Sequence, residues 1–191
     1  MSTNQEEEIK NATKTIKSGG LIVFPTDTIW GIGCDATNFD AVKNIYRLKM
    51  RDESKSMIVL VADLQQLNRH VNSIPPMALE LIKYASKPLT LIYDNAKGFA
   101  ANLYAPDGSI GIRITHHPFC NALLQQSGKP IVATSANLSG MPFPSSFTEI
   151  NDAVLKGVDY VVNLQQKEKS LNNPSTIIRI DHQGKILILR K

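Results

Sequence analysis

The sequence predicts an α/β domain built on a twisted, mixed β-sheet with flanking helices. Short apolar runs typical of buried strands alternate along the chain with segments whose apolar residues recur every three or four positions, as on amphipathic helices. Two further apolar segments flank residues 182–184 and predict a C-terminal hairpin. Apolar residues make up 42% of the 191 residues, which is enough for a folded core and excludes a disordered chain.

The elements can be placed in order along the chain. A first helix is predicted over residues 6–18, because Ile9, Ala12 and Ile16 share one face and Gly19 then ends the helix. Further helices are predicted from Asn38 to residue 48 and at residues 64–71, 75–84, 118–126 and 148–155. Strands are predicted at residues 21–24, 57–61, 89–93, 109–114, 131–133, 160–163, 175–181 and 185–190. Residues 98–103 are ambiguous, and the polar segment 165–173 is a candidate lid.

Composition narrows the class of protein. The net charge of +4 favours anionic partners without requiring nucleic acid. No apolar run reaches the ~20 residues of a membrane span, and the acidic, polar N-terminus is unlike a signal peptide. Cys34 and Cys120 match no metal spacing and are expected to be reduced thiols. We therefore expect a cytoplasmic protein with no membrane partner.

The stretch from Gly19 to Lys55 organises the chain. Its first strand stops at Pro25, which cannot donate to a strand ladder, and the polar triplet Thr26-Asp27-Thr28 follows. Residues 31–33 are predicted to form a loop in which glycines allow a tight backbone path. Three cationic residues, Lys49, Arg51 and Lys55, stand at the end of the next helix and just after it. Hydroxyl groups at a strand end, with cations one helix later, favour a polar ligand that carries phosphate.

The three cations allow two interpretations. They could form an ordinary solvated face, or they could hold a triphosphate, with arginine binding bidentately and lysine acting as a point charge. Lys49 and Arg51 are two residues apart, so in an extended segment they point the same way. They also lie directly before a buried strand, where sites at sheet ends occur, which favours the phosphate site.

A second polar cluster follows the strand at 131–133. Its sequence, Thr134-Ser135-Ala136-Asn137-x-Ser139-Gly140, could form a polar floor for a ligand or simply cap a turn. Arg113 alternates with two isoleucines on an inner strand, where an arginine usually has an anionic partner. Ser175 supplies another hydroxyl at a strand start.

Several familiar motifs are excluded. Residues 31–36 match G-x-G-x-x-A, but the glycines lie past the strand end and the acids that follow are not on a second strand, so a dinucleotide fold is not favoured. No P-loop sequence is present. His116-His117 has no further ligands at zinc spacing, so no metal-ligating residues are predicted.

Taken together, the motifs resemble the YrdC-like, or threonylcarbamoyl-AMP synthase, family. The resemblance extends from about residue 10 to the C-terminus. The matching text is Phe24-Pro-Thr-Asp-Thr-Ile-Trp-Gly-Ile-Gly-Cys, Lys49-x-Arg51-x-x-x-Lys55, Lys87-Pro-Leu-Thr90, Ile110-Gly-Ile-Arg113-Ile, the Thr134 to Gly140 run, and Pro174-Ser-Thr-Ile-Ile.

The resemblance implies a single YrdC-like domain over residues 1–191, with its core from about residue 10, around a large, positively charged concave cavity. It also implies that L-threonine, bicarbonate and ATP are joined to give threonylcarbamoyl-AMP and pyrophosphate, with Mg²⁺ carried on the ATP. The product would serve threonylcarbamoyladenosine synthesis on tRNA through a separate transferase complex, and tRNA or double-stranded RNA is a further possible partner.

The resemblance also implies roles for individual residues. The implied catalytic residues are Lys49 and Arg51. The implied ATP-binding residues are Arg51, Lys55, Ser109, Asn137, Ser145 and Arg190. The implied threonine-binding residues are Thr28, Arg113, Ser135 and Ser175.

The chain departs from the family pattern where Ser56-Met57 follows Lys55, where Asp52 follows Arg51, and where Lys191 follows Arg190. Two alternatives stay open: an RNA-binding module of the same fold without the chemistry, and an enzyme that forms a carbamoyl adenylate. Aromatic residues are only 6% of the chain, which argues against the first. The absence of acylphosphatase and zinc-finger segments argues against the second.

Overall fold

The computed structural model describes residues 3–167, 173–180 and 185–191. The helices are α1 (Thr3–Lys17), α2 (Phe39–Lys49), α3 (Leu64–His70), α4 (Pro76–Tyr84), α5 (Pro118–Ser127) and α6 (Asp152–Lys156), with 3-10 turns at Ala101–Leu103 and Phe147–Glu149. The strands are β1 (Ile22–Phe24), β2 (Gly31–Gly33), β3 (Ile58–Val61), β4 (Leu89–Tyr93), β5 (Ile110–Ile114), β6 (Ile131–Ser135), β7 (Tyr160–Val161), β8 (Thr176–Ile180) and β9 (Ile186–Arg190). In the described part of the chain, no helix has the length and apolar character to span a membrane.

The nine strands form one mixed sheet in the order β7-β1-β2-β6-β3-β5-β4-β8-β9. β3 runs parallel to β5, and β4 parallel to β8, while β6 is antiparallel to both β2 and β3. The predicted α/β fold with a mixed sheet and flanking helices is therefore confirmed. The predicted turn at 182–184 and most of the candidate lid at 165–173 lie outside the described residues.

The two faces of the sheet pack against different helices. On one face, α1 and α5 cover apolar side chains of β1, β3 and β6, among them Phe24, Leu60 and Ile131. On the other face, α2, α3, α4 and α6 cover a larger core that includes Val59, Ile112 and their neighbours. Because side chains alternate along each strand, residues two apart from Leu60 or Ile131 share the α1/α5 face. We call this the α1/α5 face below.

The segment 31–33 is a strand, so the prediction of a loop there was wrong. β2 pairs with β1 through Phe24 and Gly31, and with β6 through Gly31 and Ser135. Glycine is depleted in strands, so the sequence pattern favours a loop. Tight packing requires glycine here, because a Cβ at Gly33 would lie 2.4 Å from the Val132 carbonyl oxygen.

The exit of α2 also differs from the prediction. Lys49 is the last helical residue, and Met50 caps the helix in the left-handed conformation with φ of 50°. Lys49 and Arg51 therefore do not share an extended segment, and the expectation that they point the same way was wrong. Residues 148–155, predicted as one helix, instead form a 3-10 turn and the short α6, with Asn151 capping α6 through its side chain.

Candidate functional site

A cavity of about 240 Å³ opens on the α1/α5 face, beside the part that the two helices cover. We call it the central cavity. Its walls come from six strands, β2, β3, β5, β6, β8 and β9, from the loop after β1 and from the segments around residues 56, 143 and 174. The lining residues are Thr26, Thr28, Ile29, Gly31, Arg51, Ser56, Met57, Ile58, Arg113, Ala133, Thr134, Ser135, Phe143, Pro174, Ser175, Ile177 and Arg190.

Arg113 on β5 is the deepest charged group of the cavity, with only 4% of the residue exposed. Its Nη2 lies 3.2 Å from Asp27 Oδ1, and its Nη1 donates to Thr28 Oγ1 at 3.2 Å. Its Nε is buried without a hydrogen-bond partner among the described residues. Burial lowers the pKa of Arg113 and the neighbouring Asp27 opposes that shift, but a guanidinium stays protonated in proteins. Arg113 therefore offers a buried positive charge with donor capacity left for an anion.

The loop after β1 holds Thr28 in place by a directional chain of hydrogen bonds. The Thr26 hydroxyl donates to the Ile29 carbonyl at 2.7 Å and accepts from the Thr28 amide at 3.0 Å. Because that hydroxyl proton is used, the Thr28 hydroxyl is the donor of the 2.9 Å contact between the two threonines. Thr28 is then oriented to accept from Arg113, so contacts within the protein hold both groups in place.

Arg190, at the end of the edge strand β9, brings a second guanidinium to the cavity. Its Nε donates to the Ser175 carbonyl at 2.9 Å, and its Nη2 donates to Ser175 Oγ at 3.2 Å. Ser175 Oγ is also 2.8 Å from Thr90 Oγ1. Burial, followed by repulsion from Arg113, lowers the pKa of Arg190. Two guanidiniums that disfavour each other across a cavity favour a bound anion.

Arg51 lines the opposite part of the cavity and organises the loop that follows α2. Its Nε donates to the Lys55 carbonyl at 2.9 Å and its Nη2 to the Ser56 carbonyl at 3.1 Å. Arg51 therefore links helix α2 to the start of β3. The side chain of Lys55 is exposed and does not line the cavity.

Lys49 is almost fully buried, with 1% of the residue exposed. Its Nζ donates to the main-chain oxygens of Ser135 and Asn137, both at 2.5 Å, and to Asn137 Oδ1 at 3.2 Å. Asn137 Oδ1 also accepts from the Ser135 hydroxyl. Burial, with a smaller contribution from Arg51, lowers the pKa of Lys49 to about 8. The geometry makes Lys49 a group that positions the end of β6 rather than one that faces the cavity.

Three other predicted site residues do not line the cavity. Ser109 is buried and donates its hydroxyl to Asp107 Oδ1 at 2.7 Å. Asn137 lies behind Ser135 and donates its amide to the Met141 carbonyl at 2.5 Å. Ser145 is exposed, and its amide donates to Glu149 Oε2 at 2.8 Å. Their roles toward a nucleotide stay predictions.

The sequence and the fold of this chain are similar to those of known proteins. The Sua5/YciO/YrdC family model, described as "Telomere recombination", matches residues 14–191. The chain belongs to this family.

Two curated relatives of the family cover nearly the whole chain. A "Putative threonylcarbamoyl-AMP synthase" of Methanocaldococcus jannaschii is 34% identical and is aligned over 98% of this chain and 88% of its own length. The "Threonylcarbamoyl-AMP synthase" of Photobacterium profundum is 30% identical over 90% of this chain and 93% of its own. Among solved structures, Sua5 of Pyrococcus abyssi in complex with L-threonine superposes with a TM-score of 0.85 at 28% identity. This chain aligns over 95% of its length with that structure and spans 53% of it.

Within this family fold, the structure brings together six of the eleven predicted site residues at the cavity. They are Thr28, Arg51, Arg113, Ser135, Ser175 and Arg190. Two further residues, Asp27 and Phe143, were not predicted as site residues. Asp27 stands inside a quoted motif, and its partner Arg113 is 86 positions away along the chain, so spacing alone could not pair them. Phe143 stands between Pro142 and Pro144, and an aromatic residue between two prolines was the signal that the sequence offered.

Proposed function

We propose that this protein is a threonylcarbamoyl-AMP synthase, which joins L-threonine, bicarbonate and ATP. The observation that carries the proposal is the convergence of Arg51, Arg113 and Arg190 with hydroxyls on one cavity, in a chain of this family. Such a cavity suits a substrate set with a carboxylate and phosphates. The names of the relatives from M. jannaschii and P. profundum support the same activity.

L-threonine would bind at the Arg113 end of the cavity. Its carboxylate suits the open donor positions of Arg113, and its hydroxyl and amine suit the oxygens of Thr28, Ser175 and Ser135. Because hydrogen bonds within the protein hold the side chains of Thr28 and Ser175, little reorganisation would accompany binding. The complex of the P. abyssi protein with L-threonine supports this substrate.

The reaction has two steps. The amine of threonine adds to bicarbonate and forms a carbamate with loss of water. A carbamate oxygen then attacks the α-phosphorus of ATP, and the bond to the β-phosphate oxygen breaks to release pyrophosphate. Positioning and charge neutralisation supply most of the catalysis of such a displacement. Arg51 and Arg190 would neutralise the phosphates, and an enclosed site would keep water from the labile carbamate.

Mg²⁺ would reach the site on the phosphates of ATP, where it would neutralise developing charge. No group of three or more histidine, cysteine, aspartate or glutamate side chains that could hold a metal is found in the described ranges. The donor set of the cavity consists of hydroxyls and guanidiniums, which fits a metal that keeps phosphate oxygens and waters as its ligands. The residues of this chain would bind the outer phosphate oxygens and orient the nucleotide.

The product would be consumed by a separate complex that transfers the threonylcarbamoyl group to adenosine in tRNA. We also propose that tRNA itself is not required for the first reaction. The net charge of +4 would allow weak, salt-sensitive contacts with RNA.

The test is pyrophosphate release from Mg·ATP by the purified protein, with and without L-threonine and bicarbonate. We expect release only when both are present, together with a product whose mass is that of threonylcarbamoyl-AMP. Release that depends on carbamoyl phosphate and ignores threonine would indicate a carbamoyl-adenylate enzyme. RNA binding that weakens steeply with salt, without any pyrophosphate, would indicate a binding module.

A further inference from the structure

We propose that a cavity on the side of the sheet away from the central cavity binds a free α-amino acid with a large apolar side chain. We call it the second cavity. It has a volume of about 260 Å³ and is lined by α3, α4, β4, β5 and the segment 85–88, together with Asp27 and His116. None of its lining side chains belongs to the central cavity, so the proposal does not depend on the proposed function.

The inner walls of the second cavity are apolar. They include Leu67 of α3, Ile82 of α4, and Leu91 and Ile112, which are paired across β4 and β5. These side chains belong to, or pack against, the core on the side of the sheet away from α1 and α5. An apolar cavity of about 150 Å³ is enough to hold benzene. The second cavity therefore has room for a phenyl-sized side chain and part of the group that carries it.

One buried polar residue, Tyr93, stands among these apolar walls. Tyr93 is 5% exposed, and its hydroxyl makes no hydrogen bond within the part of the chain that the structure describes. Burial raises the pKa of Tyr93, so the hydroxyl keeps its proton. A buried tyrosine hydroxyl usually has a partner, so this one is available to a ligand or to water that enters with it.

Charged and ionisable groups of both signs lie where β5 ends and β4 begins. Asp27 is ion-paired with Arg113 near the end of β5, His116 follows that strand, and Lys87 comes just before β4. Because β4 and β5 are antiparallel, these residues meet at the same end of the second cavity. Lys87 and His116 are exposed, so this end is open to solvent. A carboxylate next to an ammonium suits the zwitterionic group of a free amino acid.

Asp27 has acceptor capacity left for the ammonium of such a ligand. Its Oδ1 is buried and accepts no hydrogen bond from the described residues, although Arg113 Nη2 lies 3.2 Å away. An ionised carboxylate has about four lone-pair sites, so the ligand can bind Asp27 while Arg113 stays in place. The ligand carboxylate would then bind Lys87, and the apolar side chain would extend toward Leu91 and Ile112.

The test is methyl NMR on the full chain labelled at isoleucine, with L-phenylalanine as the probe. We expect chemical-shift changes at Ile82, Ile112 and Ile114, which line the second cavity, and none at Ile58 and Ile177, which line the central cavity. A probe of about 12 non-hydrogen atoms should bind with a dissociation constant of roughly 1 mM or less. Changes confined to Ile58 and Ile177, or no saturable change, would overturn the proposal.

Two analogues of the probe separate its charged groups. Phenethylamine lacks the carboxylate, and 3-phenylpropionate lacks the ammonium. We expect Asp27→Asn to weaken binding of L-phenylalanine and phenethylamine about tenfold, without weakening that of 3-phenylpropionate. Lys87→Met should weaken binding of L-phenylalanine and 3-phenylpropionate about 2-fold to 5-fold, without weakening that of phenethylamine.

The matched controls are two residues outside the second cavity. Asp35→Asn removes a carboxylate that is 13% exposed and paired with Lys129, much as Asp27 is 16% exposed and paired with Arg113. Lys83→Met removes an exposed lysine of α4. Both variants should bind all three ligands as the wild type does. Equal losses for all three ligands in Asp27→Asn would show a structural effect of that substitution and overturn the assignment of the ammonium to Asp27.

Discussion

Lys49→Met separates a positioning role for Lys49 from the phosphate-binding role that its motif implies. Methionine keeps most of the apolar stem and removes the ammonium, which donates to three oxygens of Ser135 and Asn137. We expect the end of β6 to lose its order. Threonine-dependent pyrophosphate release should then fall strongly, while the affinity for tripolyphosphate stays within about twofold of wild type, since the ammonium does not line the cavity.

The loss of stability can be worked out from the structure. Hydrogen bonds from a charged donor each contribute about 1.5–3 kcal/mol, and Lys49 makes three. Against them stands the cost of burying the charge, which lowers the pKa from 10.5 to about 8 and corresponds to about 3 kcal/mol. Methionine removes that cost but leaves the buried oxygens of Ser135 and Asn137 without their donor, at about 1–3 kcal/mol for each group, so we expect Lys49→Met to lower the free energy of unfolding by about 3 kcal/mol.

Urea unfolding at pH 7 measures this change, and titration calorimetry with tripolyphosphate measures the ligand effect. Arg47→Met is the matched control, because Arg47 is an exposed cation in the same last turn of α2. It should cost less than about 1 kcal/mol. A Lys49→Met variant as stable as wild type would refute the positioning role, and a large loss of tripolyphosphate affinity would restore the role of a phosphate ligand.

Three further outcomes are expected. Arg113→Met should weaken L-threonine binding at least about thirtyfold by calorimetry, and an unchanged dissociation constant would contradict the assignment. The pKa of Lys49 in the folded protein, about 8, lies below its ordinary 10.5. Between these two pH values the unfolded chain therefore binds more protons than the folded protein. The free energy of unfolding of the wild type, measured relative to that of Lys49→Met, should accordingly rise with pH across this window. The pyrophosphate-release activity of the wild type should instead fall above about pH 8, because Lys49 loses its proton. An activity and a free energy of unfolding that both stay constant with pH would contradict this role of Lys49. Gly33→Ala should lower the melting temperature, because its Cβ would lie 2.4 Å from the Val132 carbonyl oxygen. Gly31→Ala, whose Cβ would have no atom nearer than 3.4 Å, should fold and lose ligand affinity. Equal melting temperatures of the two variants would contradict this comparison.

Much of the fold follows from local pattern. Strands such as Ile58–Val61 and Ile110–Ile114 are short apolar runs between turn signals, and the buried face of α1 is visible in the spacing of Ile9, Ala12 and Ile16. β2 escaped prediction because its identity as a strand comes from its neighbours on both sides rather than from its own glycines.

The candidate site was predictable where a polar residue lies close to one end of a predicted buried strand. Thr28 and Ser135 come shortly after such strands and Ser175 begins one, and each of the three lines the cavity. Lys49 was harder, because its direction depends on the left-handed Met50 and on oxygens 86 and 88 residues away along the chain. No local pattern encodes such distant partners.

Because Arg190 lies on the edge strand β9, ligand binding in the cavity depends on the pairing of that strand with the sheet. β9 pairs with β8 on one side, and the apolar residues 186–189 that precede Arg190 are exposed. Whenever this strand frays, one of the three guanidiniums that line the cavity moves away with it. Binding of an anionic ligand in the cavity should therefore stabilise the pairing of β9 with β8, and it should slow amide hydrogen exchange along these two strands.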